Sequence, residues 1–152
     1  MNQPRLAGAS DAAAIADVYL RARHAAVPAI PPLVHNDDEV RDWMATVVIP
    51  AGNTWVIEID GVVVAMLVLE GGEIDQLYVD SASTGNGLGS DLVDHAKRHH
   101  PDGLTLCTFQ SNTGARRFYE RHGFVAVATS DGDNEEGAPD VAYRWGGLTD
   151  NS

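Results

Sequence analysis

Glu73-Ile74-Asp75-Gln76-Leu77-Tyr78-Val79-Asp80, followed shortly by Thr84-Gly85-Asn86-Gly87-Leu88-Gly89-Ser90-Asp91-Leu92-Val93, is the stretch on which the fold turns. Its first part reads as a strand, with Glu73, Asp75, Leu77 and Val79 on one face by the period of two. Its second part is a glycine turn running into a helix whose buried side carries Leu88, Leu92, Val93 and Ala96. Glycines let a backbone approach a ligand closely and take positive φ. The free N–H groups of a helix's first turn, helped by the helix dipole, favour an anion. Strand, glycine turn and helix in that order make a candidate phosphate cradle at Gly85, Gly87 and Gly89. Spacing excludes the commoner cradles. There is no GxxxxGK followed by Ser or Thr, and GxGxxG requires a glycine where Ser90 stands. A dinucleotide fold also requires an early βαβ unit, and this turn follows a β-meander.

Working outward, two helices precede the meander. The first starts after Ser10-Asp11, with Ile15, Val18, Tyr19 and Ala22 on one face, and Pro28, Pro31 and Pro32 break the pattern. The second is capped by Asn36, with Glu39 completing a capping box. Val40, Trp43, Met44, Val47 and Val48 form its apolar face, and Pro50 and Gly52 end it. Thr54 to Asp60 and Val62 to Glu70 pair about the hairpin signal Asp60-Gly61. After the glycine turn and its helix, Gly103 to Phe109 is a strand. A short helix through Ala115, Phe118 and Tyr119 stops at Gly123. Phe124 to Thr129 and Val141 to Trp145 close the sheet around an acidic loop, Ser130 to Pro139. This order predicts one mixed α/β domain over residues 1–152, with a mostly antiparallel central sheet flanked by helices.

The composition is that of a soluble domain: 152 residues, 44% hydrophobic and 21% charged. A net charge of −12 leaves no basic stripe for phosphate backbones, so nucleic acid is not an expected partner. No apolar run reaches membrane-spanning length, and no signal core is present, so no membrane partner and a cytoplasmic location are expected. The single cysteine, Cys107, builds neither a disulfide framework nor a zinc motif, and it reads as a small core residue. The six histidines show no HExxH or zinc-finger spacing, and the acidic loop lacks the calcium-loop pattern, so no metal is expected. Ser90 lacks a G-x-S-x-G context and does not read as a nucleophile.

The glycine turn and a second block together resemble the GNAT family of acetyl-CoA-dependent N-acetyltransferases. The family signature Q/R-x-x-G-x-G/A falls on Thr84-Gly85-Asn86-Gly87-Leu88-Gly89. The second block, an Asn followed by a helix ending in F-Y-x-x-x-G-F, falls on Asn112 and on Phe118-Tyr119-Glu120-Arg121-His122-Gly123-Phe124. The likeness is strong over residues 53 to 129 and looser before them. One departure stands out: the Gln or Arg that opens the signature is Thr84.

The resemblance implies the acyl-CoA N-acyltransferase fold and acetyl-CoA as cosubstrate. By it, Leu77, Tyr78 and Val79 lend backbone groups to the pantetheine arm, with the Leu77 N–H on the thioester carbonyl. The amides of Gly85, Asn86, Gly87, Leu88, Gly89 and Ser90, next to Thr84, take the pyrophosphate. Asn112 and Phe118 line the pantetheine channel. Tyr119 occupies the general-acid position that protonates the departing sulfur, and Glu73 matches the catalytic glutamate of histone-type members. Asp75 is the reserve base. Acceptor sites in the family are built from the first helices and the loop before the last strand. That points to His35, Trp43, Asp75, Asn134 and Glu135, and to a small-molecule amine as the expected acceptor. A protein N-terminus or lysine is the alternative acceptor, and a non-catalytic acyl-CoA-binding module is the alternative function. Dimers are common in the family, so a homodimer is also an expectation.

Overall fold

The elements, in chain order, are β1 (Arg5–Leu6), α1 (Ala12–Ala26), α2 (Asp37–Trp43), β2 (Thr54–Ile59), β3 (Val62–Glu70), β4 (Glu73–Val79), α3 (Leu88–His99), β5 (Leu104–Phe109), α4 (Thr113–Arg121), β6 (Val125–Ser130) and β7 (Asp140–Trp145). They come from a computed structural model that describes residues 2–27, 30, 33–80, 83, 87–132 and 137–146. One seven-stranded sheet runs β1-β2-β3-β4-β5-β7-β6. Every pairing is antiparallel except β4 with β5. The mixed, mostly antiparallel sheet is as expected, whereas the two-residue edge strand β1 gave no periodic signal.

Helices cover both faces, and each face has its own core. Against α1 and α2 lie Val56, Val63, Met66 and Val68, which meet Ile15, Tyr19, Val40 and Met44. Against α3 and α4 lie Ala65, Leu67, Ile74, Leu106 and Tyr143, which meet Leu88, Leu92, Val93 and Tyr119. Strand β3, sandwiched between the two cores, is buried from Val63 to Leu69 without alternation.

The Asn36 capping box forms. The Glu39 N–H donates to Asn36 Oδ1 at 2.8 Å, and the Asn36 N–H donates to Glu39 Oε1 at 3.0 Å. The helix then widens into a π-turn over Met44–Val48, where the Ile49 N–H reaches back to the Met44 carbonyl at 3.0 Å. This wider winding carries Val47 off the apolar face expected of it. Val47 is 57% exposed, while Met44 and Val48 are buried.

Strand β4 departs from simple alternation. Val68 stands opposite Gln76 and Leu69 opposite Ile74, so Asp75 is an extra residue with no partner on β3. The expectation that Glu73, Asp75, Leu77 and Val79 share one face is therefore corrected. Past the bulge the phase shifts, and Leu77 and Val79 pack with Ile74 against the α3 side of the sheet. Gln76 and Tyr78 turn toward the α1 side.

Beyond β4 the sheet opens. The Thr105 N–H donates to the Gly72 carbonyl at 2.9 Å, and Glu73 pairs with Thr105. Among the described residues this is the one register pair between β4 and β5, and the strands then diverge toward Val79 and Phe109.

Candidate active site

The divergence creates a slot of about 120 Å³ with walls from Ile74 to Tyr78 on β4 and Leu106 to Phe109 on β5. Asn112, Ala115 and Tyr119 of α4 close one side. The slot has a backbone edge that β3 does not occupy. Asp80 donates its N–H to the Val64 carbonyl at 2.8 Å, and Tyr78 stands opposite Met66, two residues back. Antiparallel ladders alternate every two residues, so the N–H and C=O of Tyr78 face β3. Those of Leu77 and Val79 then face the gap. Of the three residues expected to bond an added strand, these two offer their backbone, and Tyr78 offers its side chain.

Tyr119 reaches the slot because it follows Phe118 on α4, and adjacent helical residues point about 100° apart. Its ring stacks edge-on against Phe124 at 5.6 Å. Burial, then the neighbouring Tyr78, push its phenol well above the ordinary tyrosine range. Tyr119 therefore carries its proton at neutral pH and has a hydrogen to donate into the slot. Phe118 faces the start of α3. A Cβ added to Gly89 would stand 3.1 Å from the far edge of the Phe118 ring. Glycine at 89 is thus the residue that lets the two helices close on each other.

Of the glycine turn expected to face a phosphate, the structure describes the start of α3. Gly87 caps α3 in the left-handed conformation, with φ 76°. Leu88, Gly89 and Ser90 form the first turn, and Leu88 anchors it in the core at 1% exposure. Nearby, Arg21 Nη2 donates to Asp80 Oδ2 at 2.6 Å and ties α1 to the exit of β4. Thr84, Gly85 and Asn86 lie outside the described residues.

The two candidate bases sit differently. Asp75, pushed out by the bulge, lines the slot with Tyr119 and Cys107. Loss of hydration, then Glu70, raise its carboxyl above the usual aspartate range, and a hydrogen bond from Gln76 works the other way. Glu73 sits at the closed end, in a separate depression with Glu70 and Arg144. Its carboxyl is also raised, first by burial, then by Asp75 and Glu70. Cys107, read from sequence as a core residue, is exposed on the slot wall. Partial burial, then Asp140 and Glu73, hold its thiol above the usual range, which disfavours a thiolate.

A second cavity of about 520 Å³ opens between α1, α2 and β4. His35 and Trp43 line it, together with Tyr19, Arg23, Glu39, Asp42 and Gln76. Asp75 lines the slot instead, and Asn134 and Glu135 lie outside the described residues. Tyr19 stacks edge-on with both Trp43 and Tyr78, at 5.9 and 5.1 Å. Arg23, 5% exposed, donates to the Tyr78 hydroxyl at 3.4 Å. Gln76 lines both cavities. Sequence reasoning missed Gln76 and Arg23. The three-residue spacing from Ile74 to Leu77 was the available sign that this strand carries an inserted residue. Nothing in the sequence marked Arg23 as buried. Among the described residues no group of three His, Cys, Asp or Glu side chains is placed to hold a metal.

Comparison with known proteins bears on this geometry. A profile described as the acetyltransferase (GNAT) family matches residues 12–124. The peptidyl-lysine N-acetyltransferase YjaB of Salmonella typhimurium strain LT2 is 37% identical over 71 residues. That match spans only about half of each protein, 47% of this chain and 48% of YjaB. The solution structure of apo YjaB from Escherichia coli superimposes with a TM-score of 0.78 at 23% identity, over 97% of this chain and 99% of that one. The PaiA N-acetyltransferase of Thermoplasma acidophilum, solved with coenzyme A, gives a TM-score of 0.67 at 12% identity, over 96% and 99%.

Proposed function

The chain belongs to the acetyltransferase (GNAT) family and is an N-acetyltransferase, and from that premise we propose that it moves an acetyl group from acetyl-CoA to a primary amine of a small molecule. The observation that carries the reading is the open edge of β4, with Gln76 shared between its slot and the second cavity.

The residues present suit an extended acyl carrier. Leu77 and Val79 offer backbone donors and acceptors to an added strand. Gly87 to Ser90 offer amide N–H groups to a pyrophosphate. Acetyl-CoA, when bound, supplies an activated thioester. The Leu77 N–H polarises its carbonyl. The acceptor enters through the cavity of Tyr19 and Trp43, where Glu39 and Asp42 favour a cation. An alkyl ammonium has a pKa near 10, so it must lose a proton before it attacks. Asp75 takes that proton, with Glu73 as the alternative carboxylate. Attack forms the C–N bond and breaks the C–S bond, and Tyr119 protonates the departing sulfur.

The match to a peptidyl-lysine N-acetyltransferase favours a second reading, in which the amine is a lysine side chain of a protein. One experiment separates these. Thiol release from acetyl-CoA is followed with amino acids, polyamines, aminoglycosides and lysine peptides as acceptors. Turnover on small amines supports the first reading, and turnover on peptides alone supports the second. Thermal stabilisation by coenzyme A without turnover on any acceptor overturns both in favour of a binding module.

A further inference from the structure

Ser90 is the third residue of α3, and its Oγ lies 3.0 Å from Nε2 of His122, just past the end of α4. A hydroxyl has one proton and two lone pairs. When Nε2 is bare, the Ser90 proton goes to His122, and only lone pairs face the end of α3. When Nε2 carries hydrogen, Ser90 accepts from it, and the serine proton is free for an anion. This contact rests on the reading of the α3 N-terminus as the pyrophosphate site. On that reading we propose that His122 is a positioning residue. Its neutral ring carries hydrogen on Nδ1 and accepts from Ser90; once protonated, it turns the Ser90 hydroxyl into a donor toward the pyrophosphate and couples cofactor affinity to pH.

The surroundings of His122 set the direction of that coupling. From α3, Lys97 Nζ donates to the His122 carbonyl at 2.6 Å, and Asp94 lies near. From α4, Arg121 is adjacent, and the Phe118 ring stacks at 4.8 Å. Burial, then Lys97, with a smaller push from Arg121, lower the imidazole below the usual histidine range, and Asp94 opposes them. The free protein therefore carries a neutral ring at neutral pH. A pyrophosphate brings two negative charges, offsets Lys97 and Arg121, and raises the ring's proton affinity. Binding then takes up a proton from solvent, and affinity falls as pH rises between the free and bound values.

Acetyl-CoA also carries a 3′-phosphate, a monoester group that titrates near pH 6. The probe is therefore 3′-dephospho-acetyl-CoA, which lacks it. Calorimetry from about pH 5.5 to about pH 8.5 is expected to show Kd rising roughly tenfold in the wild type. Proton uptake should appear as a binding heat that varies with the buffer's ionisation enthalpy. H122Q keeps an N–H donor that does not titrate, so its Kd should stay flat and tight. S90A should bind more weakly and show a shallower slope, because only the direct charge effect on His122 remains. A flat wild-type profile overturns the proposal. So does an S90A protein that keeps the wild-type slope, because His122 would then act without the serine. S90A is a small change at a half-buried site, and it carries the test if H122Q fails to fold. Absence of binding at every pH overturns the cofactor reading, and the proposal with it.

Discussion

Tyr119 and Asp75 face one slot, and the proposed reaction gives them opposite duties. The buried Tyr119 phenol keeps its proton. Removing it in Y119F is expected to lower kcat by about 100-fold while KM for acetyl-CoA holds, in steady-state thiol release. An unchanged kcat would end its assignment as acid. Asp75 has a raised carboxyl, and a base works only when ionised. Its activity should be full above that raised value and fall away as pH drops through it. The D75N enzyme should lose this acid limb from its kcat/KM profile, while E73Q keeps it. If E73Q is the variant that loses the limb, Glu73 is the base. Both carboxylates were legible in the sequence as candidates. Their ranking was not, because it depends on a one-residue bulge that turns Asp75 into the slot.

At the scale of elements, period-reading succeeded where a helix or strand keeps one winding throughout. The Asn36–Glu39 capping box, the meander and the buried face of α3 were all readable. The departures are Val47, carried outward by a π-turn, and β4, shifted in phase by its bulge. Each is an insertion into a regular pattern, and a pattern read by eye glides over an insertion. The α3–α4 seam gives a prediction of its own. A Cβ at position 89 would stand 3.1 Å from the Phe118 ring, so G89A must displace that ring or part the helices. Overpacking of this kind costs about 1–3 kcal/mol. G89A should lower Tm and weaken acetyl-CoA binding together. Trimming the ring in the double variant G89A/F118L should restore both, as measured by thermal melts and calorimetry. A G89A protein with unchanged Tm and affinity would show that the seam has slack.

Across the whole molecule, the order of the elements was readable, and the cavity lined by Tyr19, Trp43 and Gln76 was not. That cavity depends on two helices packed over β4 from far upstream in the chain. Ligand binding should be visible at the same scale. A ligand held only by the folded state, at 100 times its Kd, stabilises by about 2.7 kcal/mol. For a chain of this size that is a rise in Tm of roughly 5–10 °C, measurable by differential scanning fluorimetry. The rise should be smaller in a variant that weakens the α3 N-terminus. The parting of β4 from β5 carries a consequence for the timing of the reaction. Among the described residues, the four strands before the gap and the three after it share a single register pair, at Glu73 and Thr105. An acyl carrier lying in the gap would act as a splint across it. Every contact that steadies the splinted form must be undone before the spent carrier can leave. A variant that grips the carrier more tightly should therefore turn over more slowly wherever departure, rather than acetyl transfer, sets the pace.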